Sequence, residues 1–226
     1  YVPPKEWREI QTIDAHTGGE PLRIIISGYP ELKGKSILEK RKNAKENFDS
    51  FRKSLIWEPR GHADMYGAII VEPDSSDSHF GVIFVHNEGY STGCGHAVIA
   101  LTKVFVEAGL IPMNEPETEV RMDVPSGFIR SFAKIENGKV VSVRFKNVPS
   151  FVQKLNAEVN IPRLGKIKYD LAFGGAFYAF VDVNQVGLDC SEKNYKSLIE
   201  TGMHIKREII KTVKMNHPTE REMNYL

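Results

Sequence analysis

The chain has 226 residues, 41% of them hydrophobic, enough to bury a core in one domain or in two small lobes. Its 30 Lys and Arg stand against 29 Asp and Glu, and the net charge of +1 gives no whole-molecule field to draw in a nucleic acid or an anionic membrane. Apolar runs such as Val82 to Val85 and Ala97 to Leu101 fall far short of the roughly 20 residues that cross a bilayer, so a small molecule is the expected partner.

From the N-terminal end, Ile10 to Ile26 holds two apolar stretches around the Gly-rich segment Asp14-Ala15-His16-Thr17-Gly18-Gly19-Glu20-Pro21, which reads as strand, functional loop, strand. Between Ser36 and Leu55, Ile37, Arg41, Ala44, Phe48, Phe51 and Leu55 recur at spacings of three and four and predict one amphipathic helix. Its basic residues alternate with Glu39, Glu46 and Asp49, the pattern of a solvated face rather than of a nucleic-acid stripe. A second Gly-rich loop, Glu58 to Gly67, precedes two β-rich runs, Ala68 to Glu72 and Phe80 to His86, paired across Pro73 to Ser78.

Ala97 through Ala108 is apolar on nearly every face and is ended by Gly109 and Pro112, which predicts a helix buried inside something else. Val120 to Val124, Phe128 to Ile135, Val140 to Phe145, Ile167 to Ala172 and Ala176 to Val183 read as strands punctuated by Asn137-Gly138, Pro149 and Gly174-Gly175. Lys193 to Met215 reads as a surface helix with Leu198, Ile205, Ile209 and Val213 on one side. Strands around one buried helix predict an α+β lobe in which a strongly bent sheet wraps a central helix.

Gly93-Cys94-Gly95-His96 stands directly before the buried helix, where the first N–H groups lack intrahelical partners and the dipole end is positive. The flanking glycines let a carboxylate lie on the backbone N–H groups, and the same field is expected to lower the Cys94 thiol from its usual value of about 8.5. One helix start would then hold an amino acid and present a base to its Cα–H. The residues alone leave a second role open, with Cys94 a small buried hydrophobe. A third is metal-dependent hydrolysis, with ligands from Asp14, His16, His62, Asp64, His86 and His96, although no pair has the helical spacing of zinc peptidases. Cys94 and Cys190 are the only cysteines, in neither metal nor redox spacing, and no signal segment opens the chain, so a reducing cytoplasm is expected.

The stretch His86 to Leu101, with Gly93-Cys94-Gly95-His96 at its centre, resembles the first catalytic motif of the proline racemase family. Asp14 to Arg23, Glu58 to His62 with Asp64-Met65-Tyr66-Gly67, and Phe173 to Ala179 resemble the family's other N-terminal signatures, in order along essentially the whole chain. Ala97-Val98-Ile99-Ala100-Leu101 is more similar to the trans-3-hydroxy-L-proline dehydratases of the family than to its racemases or 4-hydroxyproline epimerases. Gly93 departs from the Met usual in relatives, and the family's second motif, Asp-Arg-x-Pro-x-Gly-x-Gly, does not occur here.

The resemblance implies a diaminopimelate-epimerase-like, pseudo-symmetric two-lobe architecture, with residues 1–150 forming the first lobe and 151–226 the start of a second, incomplete one. It implies Cys94 as thiolate base, His96 at the substrate amine, and the Gly95 and His96 N–H groups around the carboxylate. His16, His62, Asp64 and Tyr66 either line the pocket or fix loop conformation; Cys190 reads as an inert structural thiol. No metal or organic cofactor is implied, the partner is a prolyl small molecule, and a homodimer is allowed. The implied reaction is dehydration to pyrroline-2-carboxylate, with racemase or 4-epimerase chemistry, or an inactive homologue, as the alternatives. The start at Tyr1 rather than Met and the uncapped end at Glu-Met-Asn-Tyr-Leu lead us to expect a fragment at both ends.

Overall fold

The computed structural model describes residues 2–226. β1 (Gln11–Thr17) and β2 (Glu20–Ser27) form an antiparallel hairpin, and α1 (Ile37–Asn47) and α2 (Asp49–Ile56) follow. Next come β3 (Tyr66–Val71), β4 (Phe80–His86) and the short β5 (Gly89–Ser91), then α3 (Gly95–Glu107) and the meander β6 (Glu117–Val124), β7 (Gly127–Glu136) and β8 (Lys139–Lys146). β9 (Phe151–Ile161), β10 (Gly165–Phe173), β11 (Phe177–Phe180) and α4 (Tyr195–Thr212) complete the chain. The class is the expected α+β, with a mixed sheet.

The chain divides into two compact units, Tyr1–Val148 and Pro149–Leu226. In the first, the sheet runs β1-β2-β3-β4-β6-β7-β8, with β5 paired to β4; β2 with β3 and β4 with β6 are parallel, and the other pairs antiparallel. Each parallel pair needs a crossover, supplied by α1 with α2 in one case and by α3 in the other. Alternation along the strands sends Ile25, Ile69, Ile83 and Val85 into a cluster with Ile37, Ala44, Leu55 and Ile56 of α1 and α2. Phe80 leaves β4 on the opposite side and stacks on Phe105 of α3 at 4.2 Å. β4 is buried on both faces, which is why its sequence is continuously apolar.

α3 is in contact with β1, β2 and β3 and with β7 and β8, strands from both ends of the sheet order. Ala97, Val98, Ala100, Leu101, Thr102, Phe105 and Val106 are buried. Thr102 Oγ1 satisfies itself on the Val98 carbonyl at 2.7 Å and on Ser131 Oγ at 2.6 Å. Lys103 and Glu107 are exposed and tied by a 2.7 Å ion pair, Gly95 is exposed in the first turn, and His96, Ile99 and Val104 are half-buried. Gly109, at φ 71, ends the helix as expected.

The second unit is a three-stranded antiparallel sheet, β11-β10-β9, with α4 against β9. Phe151, Phe173, Phe177 and His217 form its aromatic centre, with ring centroids 4.7 to 5.8 Å apart.

Several expectations need correction. The single helix over 36–55 is two, because Phe48 leaves the helical region at φ −133. Asp49 then opens the second helix in an ion pair with Arg52, while apolar residues of both keep to the same side. The Asp14–Pro21 segment is strand except for a tight turn at Gly18 and Gly19, where φ of 60 and 100 requires glycine. β5 and β9 were not anticipated, and Val183 lies in a 3-10 turn rather than in a strand.

Leu101, fully buried on α3, gives a test of this core. Leu101→Ala is expected to lower the unfolding free energy by about 2–5 kcal/mol in urea titration, whereas Val141→Ala, on an exposed strand position, changes it by no more than about 0.5 kcal/mol. Equal losses at the two positions would place the core elsewhere.

Candidate active site

Cys94 is the residue that turns strand into helix. Its extended backbone (φ −154, ψ 100) caps α3, and the first helical bond runs from the Val98 N–H to its carbonyl at 3.1 Å. The N–H groups of Gly95, His96 and Ala97 are thereby left outside the helix ladder. Just upstream, Ser91 Oγ donates to the Gly93 carbonyl at 2.7 Å and accepts the Gly93 N–H at 3.4 Å, closing the tight bend that delivers the thiol. A side chain at Gly95 would put its Cβ 3.3 Å from Cζ of Phe145, so glycine there leaves room between the backbone and that ring.

His96 is held from three directions. Its Nδ1 and Nε2 stand 3.5 and 3.7 Å from Cys94 Sγ, so the ring lies alongside the sulfur. Tyr66 at the start of β3 meets the imidazole edge to face, centroids 4.9 Å apart, and itself leans on His86 at 5.3 Å. Thr17 Oγ1, at the end of β1, donates to the His96 carbonyl at 2.9 Å.

The structure thus brings Cys94, Gly95, His96 and Tyr66 together. The other expected residues have local partners. His16 is exposed at the hairpin, where its Nδ1 accepts the Gly19 N–H at 3.3 Å. The Nδ1 of exposed His62 lies 2.7 Å from the Ala63 carbonyl, and Asp64 occupies a left-handed turn at φ 61. Among the described residues no three His, Cys, Asp or Glu side chains are grouped to hold a metal ion. Asp14 is engaged by Arg23 in a bidentate pair of 2.8 and 2.7 Å, and that guanidinium holds its carboxyl below the usual range. Thr17, Ser91, Phe145 and Asn87 also shape the site. Their signal in the sequence is faint, because each reads as ordinary strand or turn chemistry.

The thiol departs from expectation. Burial pushes Cys94 up from 9.0 to about 12, the Ala97 N–H draws it partly back, and the Glu20 carboxylate adds to the rise. A helix terminus favours an anion by up to about 2 kcal/mol even in good geometry, and here the loss of water outweighs it. Burial therefore holds the sulfur as a neutral thiol at physiological pH. Cys190, expected as an inert structural thiol, is free and exposed.

No helix among the described residues is long and apolar enough to cross a membrane. The proline racemase family profile matches residues 12–226. A protein named trans-3-hydroxy-L-proline dehydratase from Colwellia psychrerythraea is 47% identical over 225 residues, which cover 100% of this chain and 63% of that protein. A trans-L-3-hydroxyproline dehydratase from Xenopus tropicalis is 43% identical over 226 residues, covering 100% and 65%. The chain therefore spans somewhat less than two thirds of the length of these curated relatives. The crystal structure of a hydroxyproline epimerase from Agrobacterium vitis with bound trans-4-OH-L-proline superposes with a TM-score of 0.91 at 30% identity, over 96% of this chain and 64% of that one.

With a thiol near 12, about one molecule in ten thousand carries the thiolate at pH 8. Iodoacetamide, followed by peptide mass spectrometry, is expected to label exposed Cys190 well ahead of Cys94 at that pH. The Cys94 rate should still climb about tenfold per pH unit above pH 9. A Cys94 rate that has levelled off below pH 9 would contradict a thiol held neutral by burial.

Proposed function

This chain belongs to the proline racemase family, and from that premise we propose that it carries the Cys94 half of a cofactor-independent enzyme dehydrating trans-3-hydroxy-L-proline to pyrroline-2-carboxylate. The observation that carries the reading is Cys94 at the start of a buried helix, its sulfur beside His96 and with unladdered N–H groups next to it. Relatives bearing the dehydratase name at 43–47% identity support the choice of reaction.

In this reading the Gly95 and His96 N–H groups receive the substrate carboxylate, and His96 meets the ring amine. A prolyl substrate also brings a secondary ammonium. A cation beside the sulfur favours the thiolate, so substrate entry offsets part of the burial that keeps Cys94 neutral. The thiolate then takes the Cα proton, and the electron pair left behind forms the C2=C3 bond as the C3–O bond breaks. In the trans isomer the Cα–H and the 3-hydroxyl share one face of the ring. The thiol just formed therefore faces the leaving group and returns the proton to it; water departs, the sulfur is a thiolate again, and the enamine tautomerises to the imine. Fixed donors aimed at the developing charge supply the stabilisation. Without a 3-hydroxyl, only reprotonation from the opposite face is productive, as a racemase or epimerase requires.

The same reading takes the sheet as strongly bent around α3, in a pseudo-symmetric two-lobe architecture whose second lobe, beginning near residue 151, is incomplete. The contacts of α3 with strands from both ends of the sheet support the bend. The partner is a prolyl small molecule and the setting a reducing cytoplasm, in keeping with two free thiols, and the reading allows a homodimer.

The protein, as this chain and extended by the C-terminal segment that its relatives possess, is to be incubated with trans-3-hydroxy-L-proline in D₂O and followed by NMR. Pyrroline-2-carboxylate is expected from the extended protein and not from Cys94→Ser. Epimer or Cα-deuterated substrate without product would replace dehydration by inversion chemistry. Absence of turnover and exchange with every prolyl substrate would mark an inactive homologue.

A further inference from the structure

Outside the thiol and its neighbours, Asn87 stands half-buried in the two-residue turn between β4 and β5, its side-chain amide bonded through both its oxygen and its nitrogen. Its Oδ1 accepts the Met65 N–H at 2.7 Å, and its Nδ2 donates to the His62 carbonyl at 2.9 Å and the Ile56 carbonyl at 3.2 Å. One amide therefore holds both ends of the segment from His62 to Met65 and fastens it to the end of α2.

The turn that carries Asn87 is itself anchored. Arg52, buried on α2, gives one Nη1 to the His86 and Asn87 carbonyls at 2.7 and 2.6 Å, and its other nitrogens pair with Asp49. Trp57 Nε1 donates to the Asn87 carbonyl at 2.9 Å. Upstream, a Cβ at Gly61 would collide with the Ile56 carbonyl, so backbone rather than a side chain packs there. The segment held by Asn87 leads directly into Tyr66, and Tyr66 is the ring set against the His96 imidazole at 4.9 Å.

From this chain of contacts we propose that Asn87 is a positioning residue for the site: it fixes the His62–Met65 segment, thereby seats Tyr66 against His96, and so keeps the imidazole alongside the Cys94 sulfur. The amide touches neither the sulfur nor His96, so its effect passes through Tyr66. The structural part stands on its own; its bearing on turnover rests on the reaction proposed above.

The test is a double-mutant cycle in the 226-residue chain with Asn87→Ala, Tyr66→Leu and both together. Two quantities are read: the His96 ring resonances in long-range ¹H–¹⁵N spectra, and the rate of Cys94 alkylation at pH 9. Freed of its neighbour, the site admits water, so each single variant is expected to move the His96 resonances and to raise the alkylation rate roughly three- to tenfold. The double variant should stay within about twofold of the larger single effect, because both act along one path. Ile69→Val, in the cluster shared with α1 and α2, serves as the control for lost stability without lost positioning, and should leave the His96 resonances in place. Should Asn87→Ala fail to fold, Asn87→Asp keeps the acceptor for Met65 while losing both donated bonds, and the same direction with a smaller size is expected.

Multiplicative effects in the cycle, or His96 resonances indifferent to Asn87, would overturn the proposal. In the extended protein, kcat for Asn87→Ala is expected to fall more than KM rises. If the unsubstituted protein turns over no prolyl substrate, the proposed reaction fails, while the resonances and alkylation rates still decide the role of Asn87.

Discussion

A helix as apolar as α3 cannot stand in water, and most of the first unit can be traced to the cover it needs. Seven of its thirteen residues are buried. One strand pair would hide one stripe of such a helix; hiding most of its circumference takes strands from both ends of the sheet, and β1 to β3 together with β7 and β8 provide them. Where strands pack on α3, the polar atoms it carries must find partners inside, as Thr102 does with Ser131. The other face of the sheet then needs its own cover, which α1 and α2 supply. The thiol stands at the start of α3, where this packing gives way to unladdered backbone N–H groups.

That position sets two effects against each other. The helix start favours a negative sulfur; the packing around α3 removes the water that would solvate it, and the second effect is larger, taking the thiol to about 12. The balance is not fixed, because it depends on the charges that share the site. Glu20 opposes ionisation, and in the reaction proposed above the substrate ammonium would oppose Glu20 in turn. A cysteine held neutral by burial also resists adventitious oxidation, which acts on the thiolate.

Much of this was legible in the sequence, and for identifiable reasons. The apolar run from Ala97 and the stop at Gly109 located α3, since few patterns other than a buried helix produce them. The β3–β4 pair and the Asn137-Gly138 turn, at φ 53 and 70, followed from β-branched runs and turn chemistry. The break at Phe48 was hidden because α1 and α2 direct their apolar residues to one cluster and keep the periodicity through the interruption. β9 was hidden because its exposed positions, among them Val152, Lys154, Leu155 and Asn156, break a strict alternation. Within the site, Cys94 and His96 announce themselves through two flanking glycines. The direction of the thiol's shift does not, because desolvation depends on which strands close over the helix, and no spacing records that.

The Thr17–His96 bond has a consequence for how the site breathes. It ties the first turn of α3 to β1, and β1 is an edge strand that among the described residues pairs with β2 alone. Edge strands with solvent-facing bonds belong to the parts of a protein that open at low free-energy cost. Local opening at this edge releases the carbonyl of His96 and lets water approach the helix start without unfolding the core behind it. Access of water to the sulfur is thereby coupled to the fraying of one peripheral strand as well as to the stability of the whole molecule, and the double glycine that turns the hairpin lies at the end of that strand nearest the bond.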